Sequence, residues 1–463
     1  MQINPTVDTA IKAYIKEHIS PKETEKCMVR KHYEIIQKIL GENTFQSGSF
    51  ARFTAVTPIH DLDIIWVLPD DVLSKSFAIT EAIDPYKLKI KETMDILRTK
   101  IQQGYSSVGI SVTVKVQSHS IGISFVDGFS IDVVPAIRSG KKNEYGDDIF
   151  SVPEVQKIAV NKRINNYSNV TSTKPIKWIK SDPKGYIREC IDLNLKNQNF
   201  RRVVKFLKFW KDKCKLQIPT LPLKSFHVEC IVSEIVKTNP NADCLELIIL
   251  FFQYLYTYLE RPRINDKADS STFVDSYILE IPVTTKEQLL NIAETHVISL
   301  ENATESDNIN DLLDNILSGR PYLNREVSEH FLYDDDIHMM LQPTISIRID
   351  GVLETKNNSV GGFRNGTYLS MVNGIIGKNH RIYFDIVDEK LGSIDSQEIS
   401  YKWKVKNKGV EACNASCLRG EITDHHTRYQ PESTAYKGSH YVEVYAIKNN
   451  VCIAKDRIQV EIR

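Results

Sequence analysis

Three carboxylates, Asp61, Asp63 and Asp132, have the type and spacing to hold divalent cations. Asp61-Leu62-Asp63 opens an apolar run that continues Ile64-Ile65-Trp66-Val67. In a strand, side chains alternate between faces, so Asp61 and Asp63 share one face while Leu62 and Ile64 take the other. Adjacent carboxylates repel each other, and the core face of a strand tolerates them when a strongly positive group sits between them. Asp132 is a lone acid in a second alternating run, Phe129-Ser130-Ile131-Asp132-Val133-Val134. Asp127-Gly128, a two-residue hairpin signal, leads into that run.

These donors are all hard oxygens with no accompanying His/Cys set, which favours Mg²⁺ (with Mn²⁺ as a substitute) over Zn²⁺. The chemistry they suit is two-metal phosphoryl transfer. Asp61 and Asp63 would bridge two ions about 3.5–4 Å apart, and Asp132 would hold the ion that activates the attacking hydroxyl. The other ion would neutralise charge on the departing pyrophosphate. Each feature alone is commonplace: Gly-Ser occurs in any loop, and Asp-x-Asp is usually a solvated edge. The order is what is specific. Gly48-Ser49-Phe50-Ala51-Arg52 forms a small turn, the Asp-x-Asp follows about a dozen residues on, and Asp132 follows a hairpin.

A second set of polar residues lies further along. Arg201, Lys205 and Lys208 recur at i, i+4 and i+3 steps, which brings them together on a helix. Lys224-Ser225-Phe226-His227-Val228-Glu229 opens the next helix, with Ser225 near its start, where free N–H groups favour anions. A lysine and a helix-start serine facing the carboxylates would hold a triphosphate tail. The candidate nucleotide contacts are Gly48, Ser49, Arg52, Lys205, Lys208 and Ser225. The plain alternative for Lys208 is a surface lysine lying over Trp210.

The elements that must position these residues follow from the patterning. At 463 residues the chain is too long for one compact core. The apolar spacing predicts a helix from about Val7 to Leu40, with Gly41 as its stop. A strand-rich core follows from about Thr44 to Ile137, with strands at Val108–Val116 and Ile121–Val126 and one helix over Pro85–Gln102. Ile137 to Lys184 is polar and is expected to wrap the rim of the site. From Tyr186 to about Phe331 the pattern is helical. From Thr344 onward short strands with Gly and Asn turns predict a β-sandwich: Thr344–Ile349, His380–Val387, Tyr401–Lys406, Tyr441–Lys448 and Val451–Val460. The expected division is 1–185 for the N-terminal helix and catalytic core, 186–336 for a helical lobe and 340–463 for the β-rich tail.

Bulk properties exclude several classes. Lys plus Arg and Asp plus Glu both number 59, so there is no global basic field of the kind duplex-binding proteins carry. Eight cysteines without a Cys-x-x-Cys pair suit a reducing compartment. Cys413, Cys417, His425 and His426 have poor spacing for zinc. Ala10 to Ile19 carries charges throughout and does not read as a secretory leader, so the cytoplasm is expected. Leu245 to Leu259 is too short to span a bilayer and reads as a buried helix. The acidic stretch Glu301 to Asp336 is expected to be a solvated face.

Gly48-Ser49, Asp61-Leu62-Asp63, Asp132, Arg202 to Trp210 and Lys224 to Glu229 together resemble the cGAS/DncV-like nucleotidyltransferases, the second-messenger synthetases of bacterial CBASS anti-phage systems. The tail resembles the adenylyl/guanylyl cyclase and SMODS C-terminal sensor often fused to them. The matching tail residues are Tyr401 to Gly409, Leu418 to Ile422 and Thr434 to Glu443. The resemblance implies an α+β fold: a polymerase-β-like core with a mixed sheet, a helical lobe and a C-terminal β-sandwich. It implies an Mg²⁺-dependent enzyme that condenses ATP, or GTP, CTP or UTP, into a cyclic di- or oligonucleotide. Asp61, Asp63 and Asp132 match its metal triad, Gly48 and Ser49 its turn over the donor phosphates, and Lys208 and Ser225 its triphosphate contacts. It also implies a separate effector protein that answers the product, and an activating ligand at the tail. There Trp403, Tyr436, His440 and Tyr441 could stack, and Arg419 and Lys437 could pair with an anion, although the plainer reading of Trp403 is the core of the sandwich. Gln459 to Arg463 lacks the terminal small residue through which some relatives are conjugated. Two other readings stand beside this one: a same-fold transferase that adenylylates a drug, tRNA or protein, and a catalytically silent nucleotide-sensing module.

Overall fold

The computed structural model describes residues 5–69, 90–155, 176–303, 308–321, 329–341, 344–354, 366–424 and 428–463. The N-terminal helical stretch is two helices, α1 (Pro5–Tyr14) and α2 (Glu23–Leu40), where the apolar spacing predicted one. A wide π turn, Ile15–Ile19, runs into Ser20-Pro21-Lys22. Pro21 has no N–H to donate and disfavours helical geometry in the residue before it, so the break falls there. Gly41 ends α2 at φ 92°, a conformation that favours glycine.

The catalytic sheet runs β1 (Thr44–Gln46), β2 (Asp61–Val67), β5 (Ser130–Lys142), β4 (Ile121–Ser124) and β3 (Thr113–Val116) in spatial order. The β2–β5 pair is parallel and the other pairs in this row are antiparallel. Between β1 and β2 lies the single turn α3 (Gly48–Ala51), and α4 (Ile90–Ser107) covers the sheet. The start of the helix expected from Pro85 lies outside the described residues. The strand expected from Val108 begins at Thr113, because α4 runs on to Ser107 and Gly109 turns the chain at φ 71°. Under β2, Leu62, Ile64 and Trp66 are fully buried. Truncating Leu62 to alanine would cost about 2–5 kcal/mol, which is why this strand is a rigid base for its two acids.

The described residues within 137–184 hold more regular structure than their polarity suggested. β5 continues to Lys142 and pairs with β6 (Asp148–Val155), which pairs with β7 (Ile176–Ser181). Ile149, Phe150, Val152 and Trp178 are buried and supply the hydrophobic signal that charges and Pro153 had obscured. The helical lobe comprises α5 (Pro183–Lys196), α6 (Phe200–Gln217), α7 (Ser225–Thr238), α8 (Cys244–Glu260), α9 (Val283–Glu301) and α10 (Ile309–Ile316). Asp182 and Asp243 cap α5 and α8 by accepting from Gly185 N and Glu246 N. The apolar run Leu245 to Leu259 is the buried α8, packed against α1, α7 and α9. Among the described residues no helix is long and apolar enough to cross a membrane.

The tail is two facing sheets. One is β14 (Tyr429–Ser433), β11 (Arg381–Lys390) and β9 (Ser346–Glu354). The other is β10 (Ile375–Ile376), β16 (Val451–Ile462), β15 (Gly438–Lys448), β12 (Ser400–Lys406) and β13 (Arg419–Thr423), with β8 (His338–Met339) beside β16. Trp403, Phe384, Ile382 and Val444 fill the space between them.

Candidate active site

The strand register sets the carboxylates. Asp63 is the direct partner of Asp132 across the parallel β2–β5 pair, and Asp61, two residues earlier, is opposite Ser130. All three therefore emerge on one face of the sheet. Ser47 N–H donates to Asp63 O at 2.8 Å, which seats the Gly48 turn directly over Asp63. A Cβ on Gly48 would lie 1.7 Å from Asp63 Oδ2, and Gly48 has φ +65°. Only glycine fits both the close approach and that backbone conformation.

Crowding of like charge is visible in the titration. Burial, then Asp61 and Asp132, push the Asp63 carboxyl up to about 6, against a smaller pull from Arg52 and Lys208. Asp132 is also raised, first by burial and then by Asp61, while hydrogen bonds from Gln117 and Ser120 pull it down. Mutual repulsion opposes tighter convergence. Among the described residues no three His, Cys, Asp or Glu side chains stand as a closed metal-ligand group. The carboxylates share a face and a field without forming a cage. Their hard oxygens, their repulsion and the glycine-lined approach to Asp63 fit a hard divalent cation that retains some of its water.

Behind Asp63 lies a buried ion network centred on Glu229 of α7. Lys208 Nζ on α6 is 2.7 Å from Glu229 Oε2 and 3.0 Å from Thr54 Oγ1. Arg52 Nε bonds Glu229 Oε1, and Thr54 Oγ1 donates to Glu229 Oε2 at 2.9 Å. Cys190 Sγ on α5 reaches Glu229 Oε1 at 3.3 Å. Burial alone would raise the Glu229 carboxyl, but Lys208 and Arg52 outweigh it and hold the group well below the usual carboxylate range. Lys208 is 4% exposed, so it is not a surface lysine over Trp210.

The other nucleotide candidates divide. Lys205 sits on the same helix face, 3.5 Å from Ser20 Oγ. Burial, with Lys26, Arg201, Arg202 and Lys208 around it, lowers its amine to about 8. The expected gathering of Arg201, Lys205 and Lys208 is thus present. Ser225 is the first residue of α7, and its hydroxyl accepts from Lys211 Nζ at 2.8 Å.

Two expectations change. Glu301 and Glu329, within the stretch read as a solvated acidic face, are both buried; Glu301 pairs with Lys455 and Glu329 with Lys404. In the tail, Trp403 (0% exposed), Tyr441 and His440 are interior, so they offer no open stacking surface, and Arg419 is paired to Glu432 and Glu421. Tyr436 is half-buried and Lys437 exposed. Of the weak zinc set, Cys413 is exposed and Cys417 half-buried, while His425 and His426 lie outside the described residues. Reading the sequence missed Glu229 as a hub, and Gln117 and Ser120 beside Asp132. The available signal for the latter was Gly122, a glycine in the middle of an apolar strand.

A parallel acid-bearing strand pair under a glycine turn, backed by a helical lobe, defines the nucleotidyltransferase class. Residues 6–154 match the Second Messenger Oligonucleotide or Dinucleotide Synthetase domain, and residues 326–463 match the Adenylyl/Guanylyl and SMODS C-terminal sensor domain. The chain belongs to the cGAS/DncV-like nucleotidyltransferases, as a synthetase domain carrying that C-terminal sensor. It is 22% identical over 221 residues to the Cyclic AMP-AMP-AMP synthase of Escherichia coli strain MS 115-1, covering 47% of this chain and 58% of that protein. It is 24% identical over 225 residues to the CBASS oligonucleotide cyclase CdnC of Escherichia coli strain KTE188, with the same coverage. The chain thus spans little more than half the length of these relatives. In fold it resembles E. coli MS115-1 CdnC with ATP, at TM-score 0.50 and 15% identity over 68% of this chain and 99% of that one. The same relative in complex with HORMA-deltaN matches at TM-score 0.50 and 14% identity, over 68% and 98%.

Proposed function

We propose that this protein is a cytoplasmic, Mg²⁺-dependent nucleotidyltransferase that condenses NTPs into a cyclic di- or oligonucleotide messenger for anti-phage defence. The carrying observation is the register pair Asp63–Asp132, with Asp61 on the same face and the Asp63 carboxyl raised to about 6. A 3′- or 2′-hydroxyl of one nucleotide attacks the α-phosphate of the next, the new P–O bond forms, and pyrophosphate leaves. Repetition within one product closes the ring.

Asp61, Asp63 and Asp132 would hold Mg²⁺, which when bound supplies Lewis acidity to the α-phosphate and lowers the pKa of the attacking hydroxyl. Asp63 has to be ionised for this, and a bound divalent cation would oppose the burial and the like charges that raise its carboxyl. The Gly48–Ser49 turn brings backbone close enough to Asp63 to enclose the donor phosphates. Lys205, partly neutral in its cationic cluster, has charge to offer a phosphate. Arg52 and Lys208 give theirs to Glu229, so their part is to hold the core against the helical lobe and to offset the carboxylates electrostatically. ATP as a substrate is supported by the CdnC relative solved with it. The product would act on a separate effector, and the C-terminal domain would take an activating ligand.

Purified protein given Mg²⁺ and radiolabelled NTPs should form a phosphatase-resistant product, and Asp61→Ala with Asp63→Ala should abolish it. Product persisting in that double variant would refute the metal assignment. Label on a drug, tRNA or protein would indicate a same-fold transferase instead. Nucleotide binding without pyrophosphate release would indicate a silent sensing module.

A further inference from the structure

His227, Asp275 and Tyr277 are buried polar residues outside both the carboxylate cluster and the Glu229 network. Tyr277 reaches the start of α7 from a 3₁₀ turn, Ser276–Glu280. Its hydroxyl accepts from Lys224 N–H at 3.0 Å and lies 2.9 Å from His227 Nδ1. The Lys224 ammonium sits over the same ring, 4.5 Å from its centroid. Tyr277 therefore meets both the backbone and the charged end of Lys224. Lys224 is the cap residue of α7, and its carbonyl accepts from Val228 N–H at 3.2 Å. Holding Lys224 thus sets the first turn of the helix.

The protons in this chain of contacts have one order. Tyr277 carries a single hydroxyl proton, and with Lys224 N–H donating to its oxygen that proton goes to His227 Nδ1. A neutral imidazole that accepts at Nδ1 carries its own proton on Nε2. His227 Nε2 faces Asp275 Oδ2 at 3.7 Å, beyond hydrogen-bond range but near enough for the charge to orient the ring. Burial lowers the imidazole to about 4, against the pull of Asp275, so His227 keeps its acceptor at neutral pH. Asp275 is itself fixed, accepting from Arg263 N at 2.9 Å and Ile264 N at 3.3 Å.

The chain ends beside the candidate site. Ser225 follows Lys224, and its hydroxyl accepts from Lys211 Nζ at 2.8 Å. Phe226 lies against Arg52 of the glycine turn, with the guanidinium 5.1 Å from its ring centroid. Lys224 and Lys211 thus bring two cations to the first turn of α7, whose opening N–H groups and dipole already favour an anion. We infer that Tyr277, set by His227 and Asp275, is a positioning residue that presents Lys224 together with Ser225 to the triphosphate of the incoming nucleotide. This rests on reading Ser225, at the start of α7, as a triphosphate contact, and it adds Lys224 to that contact.

The test is binding of inorganic tripolyphosphate to the full chain with Mg²⁺, by calorimetry well below the thermal midpoint of each variant. Tyr277→Phe keeps the ring over Lys224 but removes the hydroxyl, and should weaken binding about 5–100-fold. His227→Leu should do the same. His227→Asn, whose amide oxygen can accept from the Tyr277 hydroxyl in place of Nδ1, should stay within about twofold of wild type. In the proposed reaction the KM for ATP should rise in parallel, with kcat little changed. Affinity within about twofold of wild type in Tyr277→Phe and His227→Leu, while Ser225→Ala and Lys224→Met weaken it, would overturn the positioning role and leave the phosphate contact standing. Unchanged affinity in both Ser225→Ala and Lys224→Met would overturn the contact and this inference with it. A lowered midpoint with normal tripolyphosphate binding in Tyr277→Phe would mark the hydroxyl as structural and also overturn it. If Tyr277→Phe and His227→Leu do not fold, His227→Gln, which stays polar but moves the acceptor one carbon outward, takes their place with the same expectations.

Discussion

Lys208 Nζ lies 2.7 Å from Glu229 Oε2, inside the protein and at the junction of the catalytic sheet with the helical lobe. Arg52 meets the other oxygen of the same carboxylate. Two buried cations thus depend on one buried anion. Glu229→Gln should therefore destabilise the protein by about 3–5 kcal/mol, because removing one partner strands the other charges. Denaturant unfolding followed by Trp fluorescence measures this. A midpoint equal to wild type would show that the network contributes no stability.

The raised Asp63 carboxyl sets a pH dependence with a definite sign. Its folded pKa of about 6 exceeds the ordinary 3.8, so the native state holds the proton more tightly. The resulting stabilisation is complete below about pH 3.8 and lost as pH rises through about 6. Discounted for partial exposure, the swing is about 2 kcal/mol. Asp63→Asn should be the more stable protein at pH 8 in EDTA by about that amount, and should gain nothing from Mg²⁺. Equal stability of the two at pH 8 would count against the strained carboxylate.

Period-two alternation made β2 and β5 legible, and 3.6-residue periodicity did the same for the helical lobe. Both are local signals. What sequence could not supply was partnership over distance. Arg52 and Glu229 are separated by 177 positions, so nothing near Arg52 or Lys208 shows that each is already paired. Lys455 and Glu301 are likewise 154 apart, which is how an apparently solvated acid came to be buried. The misread breaks have local causes: Pro21 overrode a continuous apolar spacing, and Pro153 with its charged neighbours masked a strand. Trp403 as sandwich core was the plainer of its two readings, and burial decided it.

Lys205 gives a prediction specific to nucleotide binding. Its amine, lowered to about 8 from 10.5, is largely neutral at pH 8.5, and folding stability should rise as pH climbs from about 8 toward 10.5. A bound triphosphate would favour the charged form, so binding at pH 8.5 should take up part of a proton. Calorimetry of ATP binding in buffers of differing ionisation enthalpy reports that uptake as a slope. Lys205→Met should lose the slope and bind more weakly. An unchanged slope in that variant would place the triphosphate elsewhere.

The C-terminal sheet is fastened to the helical lobe by Lys455 of β16, whose Nζ is 2.7 Å from Glu301 Oε2 at the end of α9. Gln253 Nε2 on α8 donates to the other oxygen, Glu301 Oε1, at 2.9 Å. Arg457, two residues on, lies 3.0 Å from Asn302 Oδ1, with its guanidinium 3.6 Å from the Tyr441 ring centroid. Lys455→Met would leave Glu301 without its ion-pair partner, with Gln253 donating to it and the Arg457 charge nearby, and should cost about 3 kcal/mol; Glu301→Gln should cost a similar amount. The double variant should recover much of the loss, since a buried pair replaced as a unit strands no charge. The coupling energy from that cycle, read by denaturant unfolding of the full chain, measures how firmly sensor and catalytic lobe are joined. Additive losses would mean that the two residues do not act as a pair. If the sensor acts through this contact, synthesis in the Lys455→Met variant should also no longer depend on the activating ligand.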